Sequence, residues 1–239
     1  MSKINTIIPK SNFEYIRSLI PQILSIELCN QAKMIEEYIL NENPTGAELE
    51  YLTMTLESIP YTKEIVDNET RYICKVYEER EMPINLEESA SINIIFKVDS
   101  SSESNSTAFQ VGETVYQLET WQRSSSSDNE DGDKRASRKA QRILALCHAI
   151  LNDKNYKQTL GLGRDNSLFI GSVNVHNLTI LQADKMTNNF DNEICGVLDI
   201  VVRSTESNID YEFEYPFLGS NVTMKIDNTT KSIYWETNY

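Results

Sequence analysis

The spacing of the apolar residues changes once in the N-terminal half of this chain, and that change limits the folds open to it. Between Phe13 and Ile39 the spacing is three or four positions, as on one face of an α-helix; the stripe consists of Phe13, Ile16, Ile20, Ile23, Leu24, Leu28, Ile35 and Ile39. From Pro60 onward apolar and polar residues alternate, as in a half-buried β-strand. The order predicts helices first and a sheet afterwards, which disfavours a strictly alternating β–α–β fold.

Two helices are predicted before the sheet. Ser11 or Asn12 can cap the first, because a short polar side chain accepts a backbone N–H there. Pro21 is expected to kink this helix or to break its first turns, since proline lacks an N–H donor. The segment at 41–46 ends the helix. A second amphipathic helix is predicted over 47–58, with one face formed by Leu49, Leu52, Leu56 and Ile59.

The middle of the chain predicts antiparallel strands. Residues 61–80 have the pattern of a β-hairpin with its turn at Asp67–Thr70. Residues 91–98 predict a further strand, and 100–107 a polar loop. Residues 108–123 predict a strand in which Gly112 indicates a bulge or bend.

A polar, acidic segment at 124–135 separates these strands from a third predicted helix. The segment has no apolar residue to bury and is interpreted as a mobile loop. The helix is predicted over 134–153, with an apolar face formed by Ala136, Ala140, Ile143, Leu144, Cys147, Ile150 and Leu151. Its polar side carries Arg135, Arg138, Lys139 and Arg142, which we expect to form a solvated face turned toward the acidic loop.

The C-terminal part of the chain predicts more β structure. Strands are predicted over 167–182 and 194–204, joined by an Asn-rich turn at 187–193, and the second strand is expected inside the sheet. Residues 209–239 contain further β-like stretches. The predicted fold class is α+β, with an amphipathic N-terminal helix and a second helix packed on a largely antiparallel sheet and a β-rich C-terminal extension.

No motif for catalysis, metal binding or cofactor binding is present in the sequence. Cys147 and His148 are adjacent on a predicted helix, so their side chains diverge by about 100° and do not make a metal site. A nucleophile–base pair of Cys147 or a serine with His176 stays open, because such pairs assemble in space. The GLGR stretch at 161–164 lacks the ending of a phosphate loop and predicts a helix-to-strand connector. We expect a protein that is not an enzyme and has no cofactor.

The net charge limits the classes of binding partner, and the cysteines indicate the cellular compartment. The net charge of −14 argues against tight, non-specific nucleic-acid binding and against docking on anionic lipid. No signal peptide or membrane-spanning segment is predicted. The four cysteines, Cys29, Cys74, Cys147 and Cys195, are widely spaced in apolar settings and are expected to be buried thiols in an intracellular protein.

One order of segments resembles a known family. The segments are FEYIRSLIPQILSIELCNQ (13–31), LETWQR (118–123), RKAQRILALCHAILND (138–153), GSVNVHNLTIL (171–181) and VLDIVVRS (197–204). This order resembles the tail-terminator and tail-completion proteins of tailed bacteriophages, including the related head–tail neck ring proteins. The likeness covers 13–31 and 91–206. It implies one domain over 1–206, with an inserted helix and hairpin at about 41–90, and a β-rich C-terminal extension over 207–239.

The resemblance implies a structural protein of the virion. Such proteins form closed rings in the phage neck or tail, join the head, through its portal, to the tail, and let DNA pass without specific binding. The implied partners are further copies of the chain in a six- or twelve-fold ring and portal, neck or tail-tube proteins, without a membrane. The protein would be made in the cytoplasm of the host bacterium.

Within that interpretation, candidate contacts to the ring lumen or to neighbouring subunits are Trp121, Arg123, Asp128, Glu130, Asp131, Asp133, Arg135 and Arg138. The acidic loop containing Asp128–Asp133 would become ordered on assembly. The alternative is a non-viral intracellular α+β module that binds another protein.

Overall fold

A computed structural model describes residues 12–66, 69–79, 90–102, 109–125, 131–161, 170–182, 193–207, 222–227 and 232–237. It contains three α-helices, α1 (Asn12–Glu42), α2 (Gly46–Ser58) and α3 (Gly132–Leu151). The strands are β1 (Tyr61–Val66), β2 (Glu69–Cys74), β3 (Val76–Glu78), β4 (Ala90–Ser102), β5 (Phe109–Arg123), β6 (Ile170–Gln182), β7 (Glu193–Ser207), β8 (Val222–Asp227) and β9 (Ser232–Thr237). The predicted α+β class is confirmed.

A five-stranded sheet in the order β3-β4-β5-β7-β6 forms the centre of the fold. The pairs β4–β5, β5–β7 and β6–β7 are antiparallel, whereas β3 runs parallel to β4. The sheet is therefore largely antiparallel, as predicted. β7 lies between β5 and β6, so the expectation that it is an interior strand is also confirmed.

The two long helices pack on the same face of this sheet, which we call the helix face. Along β5 the alternation is strict: Thr114, Tyr116, Leu118, Thr120 and Gln122 are buried on the helix face. The core joins these strands to α1 and α3 and includes Ile20, Leu24, Leu28, Ile92, Ile94, Tyr116, Leu118, Ile143, Leu144, Leu198 and Ile200. The helical and strand periods of the sequence thus meet in one hydrophobic layer.

The predicted apolar face of α3 is correct, and that of α1 is correct in its N-terminal half. On α1 Ile35 and Ile39 are only half-buried, whereas the buried members of the stripe are Ile16, Ile20, Ile23, Leu24 and Leu28. On α3 the whole predicted face is buried, and the helix begins and ends two residues earlier than predicted. α1 continues through Pro21, so the expected break of its first turns is wrong.

Several local predictions need correction. The hairpin ends at Cys74, because the chain leaves it at Lys75 and β3 joins the large sheet instead. Gly112 pairs in register with Ser101 and Ser204, so it marks no bulge. The irregularities lie in β4 between Phe96 and Val98 and in β6.

Two further predictions fail around the helices. Leu49 of α2 is exposed, and the buried residues of that helix are Met54, Thr55 and Ser58. Residues 132–135 are predicted in the acidic loop but lie in α3. Residues 100–102 are predicted in the polar loop but belong to β4.

The segment inserted between α1 and the sheet forms α2 and the β1–β2 hairpin, in which Tyr61 pairs with Cys74 and Val66 with Glu69. β8 and β9 form an antiparallel hairpin in the C-terminal extension, with Val222 opposite Thr237. The aromatic stretch at 211–217 and the turn at 187–192 lie outside the described residues.

Gly196 of β7 provides a test of the packing between α3 and the sheet. A Cβ atom at this position would lie 2.8 Å from Leu144 Cδ1 of α3 and 3.2 Å from Thr120 Cγ2 of β5. We predict that Gly196→Ala lowers the free energy of unfolding by about 1–3 kcal/mol, measured by urea denaturation, because the methyl group overpacks the layer.

The control is the double variant with Leu144→Ala, which removes the atom nearest the new methyl group. Its loss of stability should be smaller than the sum of the two single losses, since the added methyl fills part of the cavity. Simple additivity would contradict this account of the contact.

Candidate interaction surfaces

The side of the sheet turned away from the helices is the first candidate surface, and we call it the open face. Along β5 it presents the half-buried residues Glu113, Val115, Gln117, Glu119, Trp121 and Arg123. Their partners on β7 are Arg203, Val201, Asp199, Val197, Cys195 and Glu193. Two of the sequence-predicted site residues, Trp121 and Arg123, therefore lie on this face.

Charges on the open face are matched in pairs across the strands. Arg203 Nε lies 3.0 Å from Glu113 Oε2, and an Arg123 terminal nitrogen lies 3.6 Å from Glu193 Oε2. At the middle of the face, Asp199 faces several donors: Asn177 Nδ2 at 3.0 Å, Gln117 Nε2 at 3.4 Å and Lys97 Nζ at 3.7 Å. The carboxylates of Glu113, Glu193 and Asp199 thus have protein partners on this face.

Trp121 contributes an aromatic side chain to one end of the open face. It lies opposite Ser91 of β4 and Cys195 of β7. Its indole Nε1 and the Ser91 hydroxyl are both buried without a hydrogen-bond partner. Unpaired buried groups of this kind cost free energy, so they destabilise this end of the sheet.

The basic residues of α3 lie elsewhere, on the opposite side of the sheet, and they bind α2. Arg135 makes a two-fold contact with the Glu57 carboxylate at 2.8 and 2.9 Å, and Arg138 lies 3.4 Å from Glu50 Oε1. The interpretation of this stripe as a solvated face turned toward the acidic loop is wrong. The sequence does not reveal the pairing, because the acidic partners come from the inserted helix.

The other two members of the stripe also have partners within the chain. Arg142 donates from Nε to Thr55 Oγ1 at 3.0 Å, and its guanidinium group lies 4.6 Å from the centre of the Tyr51 ring. Lys139 is only 3% exposed and donates to the Arg123 carbonyl at 3.1 Å. Burial lowers the pKa of Lys139, while the nearby Glu57 opposes that shift.

Two of the four acidic candidates lie at the start of α3. Asp131 is exposed at the N-cap position, and Asp133 is half-buried in the first turn, where a negative charge complements the helix dipole. Asp128 and Glu130 lie outside the described residues. The structure therefore brings Trp121 and Arg123 together on one surface and places Asp133, Arg135 and Arg138 at α3.

The open nucleophile–base pairing of Cys147 with His176 is excluded by the fold. Cys147 is fully buried in the core on the helix face, and its burial raises the pKa of the thiol to about 12. His176 is exposed and lies opposite Asp199 on the open face. The sheet separates the two side chains.

Two further sequence features have structural roles. Leu160 and Gly161 both adopt positive φ values, of 50° and 78°, at the turn that follows α3, as expected for a helix-to-strand connector. The exposed His148 accepts a contact from Asn152 one turn later, with 3.1 Å between Nε2 and Nδ2. Within the described ranges, no group of three or more His, Cys, Asp or Glu residues could hold a metal ion.

Sequence reasoning missed a polar cluster that fastens the hairpin to α1. Glu36 accepts hydrogen bonds from the hydroxyls of Tyr61 and Tyr72 and pairs with Lys63. The two tyrosine rings stack with their centroids 5.9 Å apart, and the Lys63 ammonium lies 5.4 Å from the centre of the Tyr72 ring. The only sequence signal was the position of these residues on the predicted hairpin: Tyr61 and Lys63 are two positions apart on its first strand, and Tyr72 is on its second strand.

The electrostatics of this cluster indicate a structural role. Burial acts to raise the pKa of Glu36, but Lys63 and the two tyrosine hydroxyls outweigh it and lower that pKa. The hydrogen bond to Glu36 raises the pKa of Tyr72 to about 12, and burial with the same carboxylate raises the pKa of Tyr61. Such tyrosines stay protonated at neutral pH and act as donors rather than as acid–base catalysts.

Sequence reasoning also missed a contact between two cysteines. Cys29 of α1 and Cys74 of β2 interact, and the interaction with the Cys74 thiol lowers the pKa of Cys29. The same contact, together with burial, raises the pKa of Cys74. All four cysteines are free.

Comparison of the chain with models of known protein families and with curated protein sequences found no match. None of the helices in the described parts is long and apolar enough to cross a membrane.

Glu36 offers a pH test of the hairpin attachment. Because its pKa is lower in the folded state than the ordinary 4.5, its stabilisation is present above pH 4.5 and is lost as the pH falls through the folded-state pKa. We predict that Glu36→Gln lowers the free energy of unfolding at pH 7 by about 1–3 kcal/mol and flattens its fall below pH 4.5.

The matched control is Glu37→Gln. Glu37 is the next residue, is more than half exposed and contacts only Lys33, at 3.9 Å, among the ion pairs of the described residues. Urea denaturation of both variants between pH 3 and pH 7 measures the effect. An equal change in the two variants would contradict the role assigned to Glu36.

The cysteines provide a separate test of burial. We predict that a thiol reagent such as Ellman's reagent labels Cys29 first in the native protein, because Cys29 is half-buried and has a lowered pKa, whereas Cys74, Cys147 and Cys195 are buried. Labelling followed by mass spectrometry, with and without urea, identifies the modified residues. Equal labelling of Cys29 and Cys147 in the native state would contradict the core described here.

Proposed function

We propose that this chain is a structural virion protein that forms a ring in the neck or tail of a tailed bacteriophage, joins the head to the tail and lets DNA pass. The observation that supports the proposal best is the arrangement of the fold. Both long helices cover one face of a largely antiparallel sheet, in the element order that resembles the tail-terminator and neck ring proteins. No helix of the described residues packs on the open face, although Ser91, Asn93 and Cys195 are buried there.

The placement of charge supports the same proposal. A ring through which DNA moves should not hold the phosphate backbone, and a charge of −14 per subunit repels it. The arginines of α3, which could otherwise contact phosphate, are engaged by Glu50 and Glu57 of α2. This pairing within the chain balances the positive charge of α3, on which DNA binding would depend.

The arrangement of side chains on the open face supports a protein partner rather than a small molecule. Apolar neighbours such as Val115 and Val201 lie between cross-strand ion pairs, and Trp121 occupies one end. A mixed surface of this kind, with an aromatic anchor and a polar surround, is typical of protein–protein contacts. It also suits the alternative, an intracellular module that binds one partner.

Size measurement distinguishes the two functions. We predict closed rings of six or twelve subunits, seen by mass photometry and negative-stain electron microscopy, either for the chain alone or after addition of the portal and tail proteins encoded beside it. A discrete monomer or dimer that stays so with those proteins would favour the binding module. Neighbouring genes for metabolic enzymes, without a portal or tail gene, would also contradict the ring.

DNA binding supplies an independent control. The assembled ring should leave the mobility of linear duplex DNA unchanged in a gel-shift assay at physiological salt. Retention of DNA that falls steeply with salt concentration would show that the lumen holds phosphate and would contradict the conduit role.

A further inference from the structure

The outer edge of β6 forms one border of the large sheet. β6 is the last strand in the order β3-β4-β5-β7-β6, and no strand in the described part of the chain pairs with its outer side. An uncovered edge strand presents backbone N–H and C=O groups that can pair with a strand of another chain. The partner of such an edge would therefore be a segment of extended backbone.

The composition of this strand leaves the edge unprotected. No charged residue lies between Asp165 and Asp184, the longest uncharged stretch in a chain of which 24% is charged. That stretch also contains no proline. Monomeric proteins commonly guard exposed edges with lysine or proline, because these residues oppose pairing with another strand.

Part of the edge is nevertheless covered within the subunit. The turn after α3 reaches it at Val173, whose N–H donates to the Lys157 carbonyl at 2.8 Å. Beyond that point Leu178 and Leu181 are 47% and 48% exposed, and Asn177 adopts a positive φ of 56° at the irregularity in the strand. The available part of the edge therefore extends from Asn174 to Gln182.

The opposite border of the same sheet is also incomplete. β3 pairs only with Ile92–Ile94 of β4, and the Glu79 carboxylate accepts from the Phe96 N–H at 2.7 Å. Beyond Phe96, the outer side of 97–102 has no paired strand among the described residues. Each subunit thus carries two different edges, one at each border of its sheet.

The directions of these two edges are compatible. Three antiparallel pairings separate β4 from β6, so the two strands run in opposite directions. A second copy can therefore continue the antiparallel alternation from β6 to β4. It must be displaced along the strands by several residues, because Asn174–Gln182 lies level with 90–98 of β4 in its own subunit. Both strands are 13 residues long.

We propose that the β6 edge at Asn174–Gln182 is a subunit contact, which pairs antiparallel with the β4 edge at 97–102 of a second copy. The inference rests on the proposed ring and specifies how its neighbours meet. Because two different edges pair, the contact is head to tail, and repeated head-to-tail contacts close into a ring when the rotation between copies permits.

The charge of the chain favours this place for the contact. Two copies of charge −14 repel each other, so they approach most easily where one surface carries no charge. The β6 edge offers no carboxylate to oppose Asp99 of the neighbouring β4. No other strand of the described sheet is free of charged residues over such a length.

Mixed crosslinking tests the contact directly. Thr179 pairs with Val197 of β7, and Ser100 pairs with Glu113 of β5. Thr179→Cys and Ser100→Cys are made as separate full-length variants and treated with a short bismaleimide, alone and mixed, beside the unaltered protein as a control for the native cysteines.

The expected product is a crosslinked dimer in the mixture and in neither variant alone. Crosslinking of Thr179→Cys alone would show a β6–β6 contact and would overturn the head-to-tail pairing. An absence of crosslinked dimer in all samples would overturn the proposal as well.

A charged substitution on the β6 edge tests the same contact without cysteine crosslinking. We expect Thr179→Lys to weaken self-association by about tenfold in sedimentation velocity, because the lysine opposes pairing of a second strand. Ile65→Lys makes the same charge change on the β1–β2 hairpin, where Ile65 is 80% exposed, and should leave association unchanged. Equal behaviour of the two variants would overturn the proposal.

Failure of this contact and failure of the ring are distinguishable. Rings that tolerate Thr179→Lys and give no mixed crosslink would overturn the contact and leave the ring function standing. A mixed crosslink in a protein that forms only open chains would support the contact and contradict the ring. A chain that stays monomeric at high concentration, with and without the portal and tail proteins, would overturn both.

Discussion

Burial of α1 and α3 against one face of the five-stranded sheet is the interaction on which the rest of this structure depends. The strands supply a strictly alternating face, and the helices supply stripes of the matching apolar residues. Since the two helices lie on the same side, no described helix covers the other face, where Ser91, Asn93 and Cys195 are nevertheless buried. The position of every candidate surface, including the open face and the free edges, follows from that one-sided arrangement.

The inserted helix α2 changes what α3 can do. A surface helix with arginines at positions 135, 138 and 142 would ordinarily present a basic stripe to solvent or to phosphate. Here all three arginines contact α2: two form ion pairs with Glu57 and Glu50, and the third donates a hydrogen bond to Thr55. The insertion thus converts a potential nucleic-acid surface into an internal contact, and it leaves the acidic character of the chain dominant outside.

The sequence predicted most of the elements because hydrophobic spacing is a local property. The stripes of α1 and α3 and the alternation of β5 needed only neighbouring residues to recognise. The polar contacts could not be predicted in this way: Glu36 meets Tyr61 and Tyr72, and Cys29 meets Cys74, only after the hairpin has folded onto α1. Lys139 shows the same limit, because the carbonyl that accepts its hydrogen bond belongs to Arg123 at the end of β5 rather than to its own helix.

The net negative charge of the chain affects how the uncharged β6 edge can associate. A strongly acidic chain resists association over most of its surface, which guards against the irregular contacts that an exposed strand edge otherwise invites. The uncharged edge is then the place where that resistance is lowest, and only a strand of suitable direction can use it. If the ring is correct, the same charge that repels DNA in the lumen also restricts the subunits to one mode of contact.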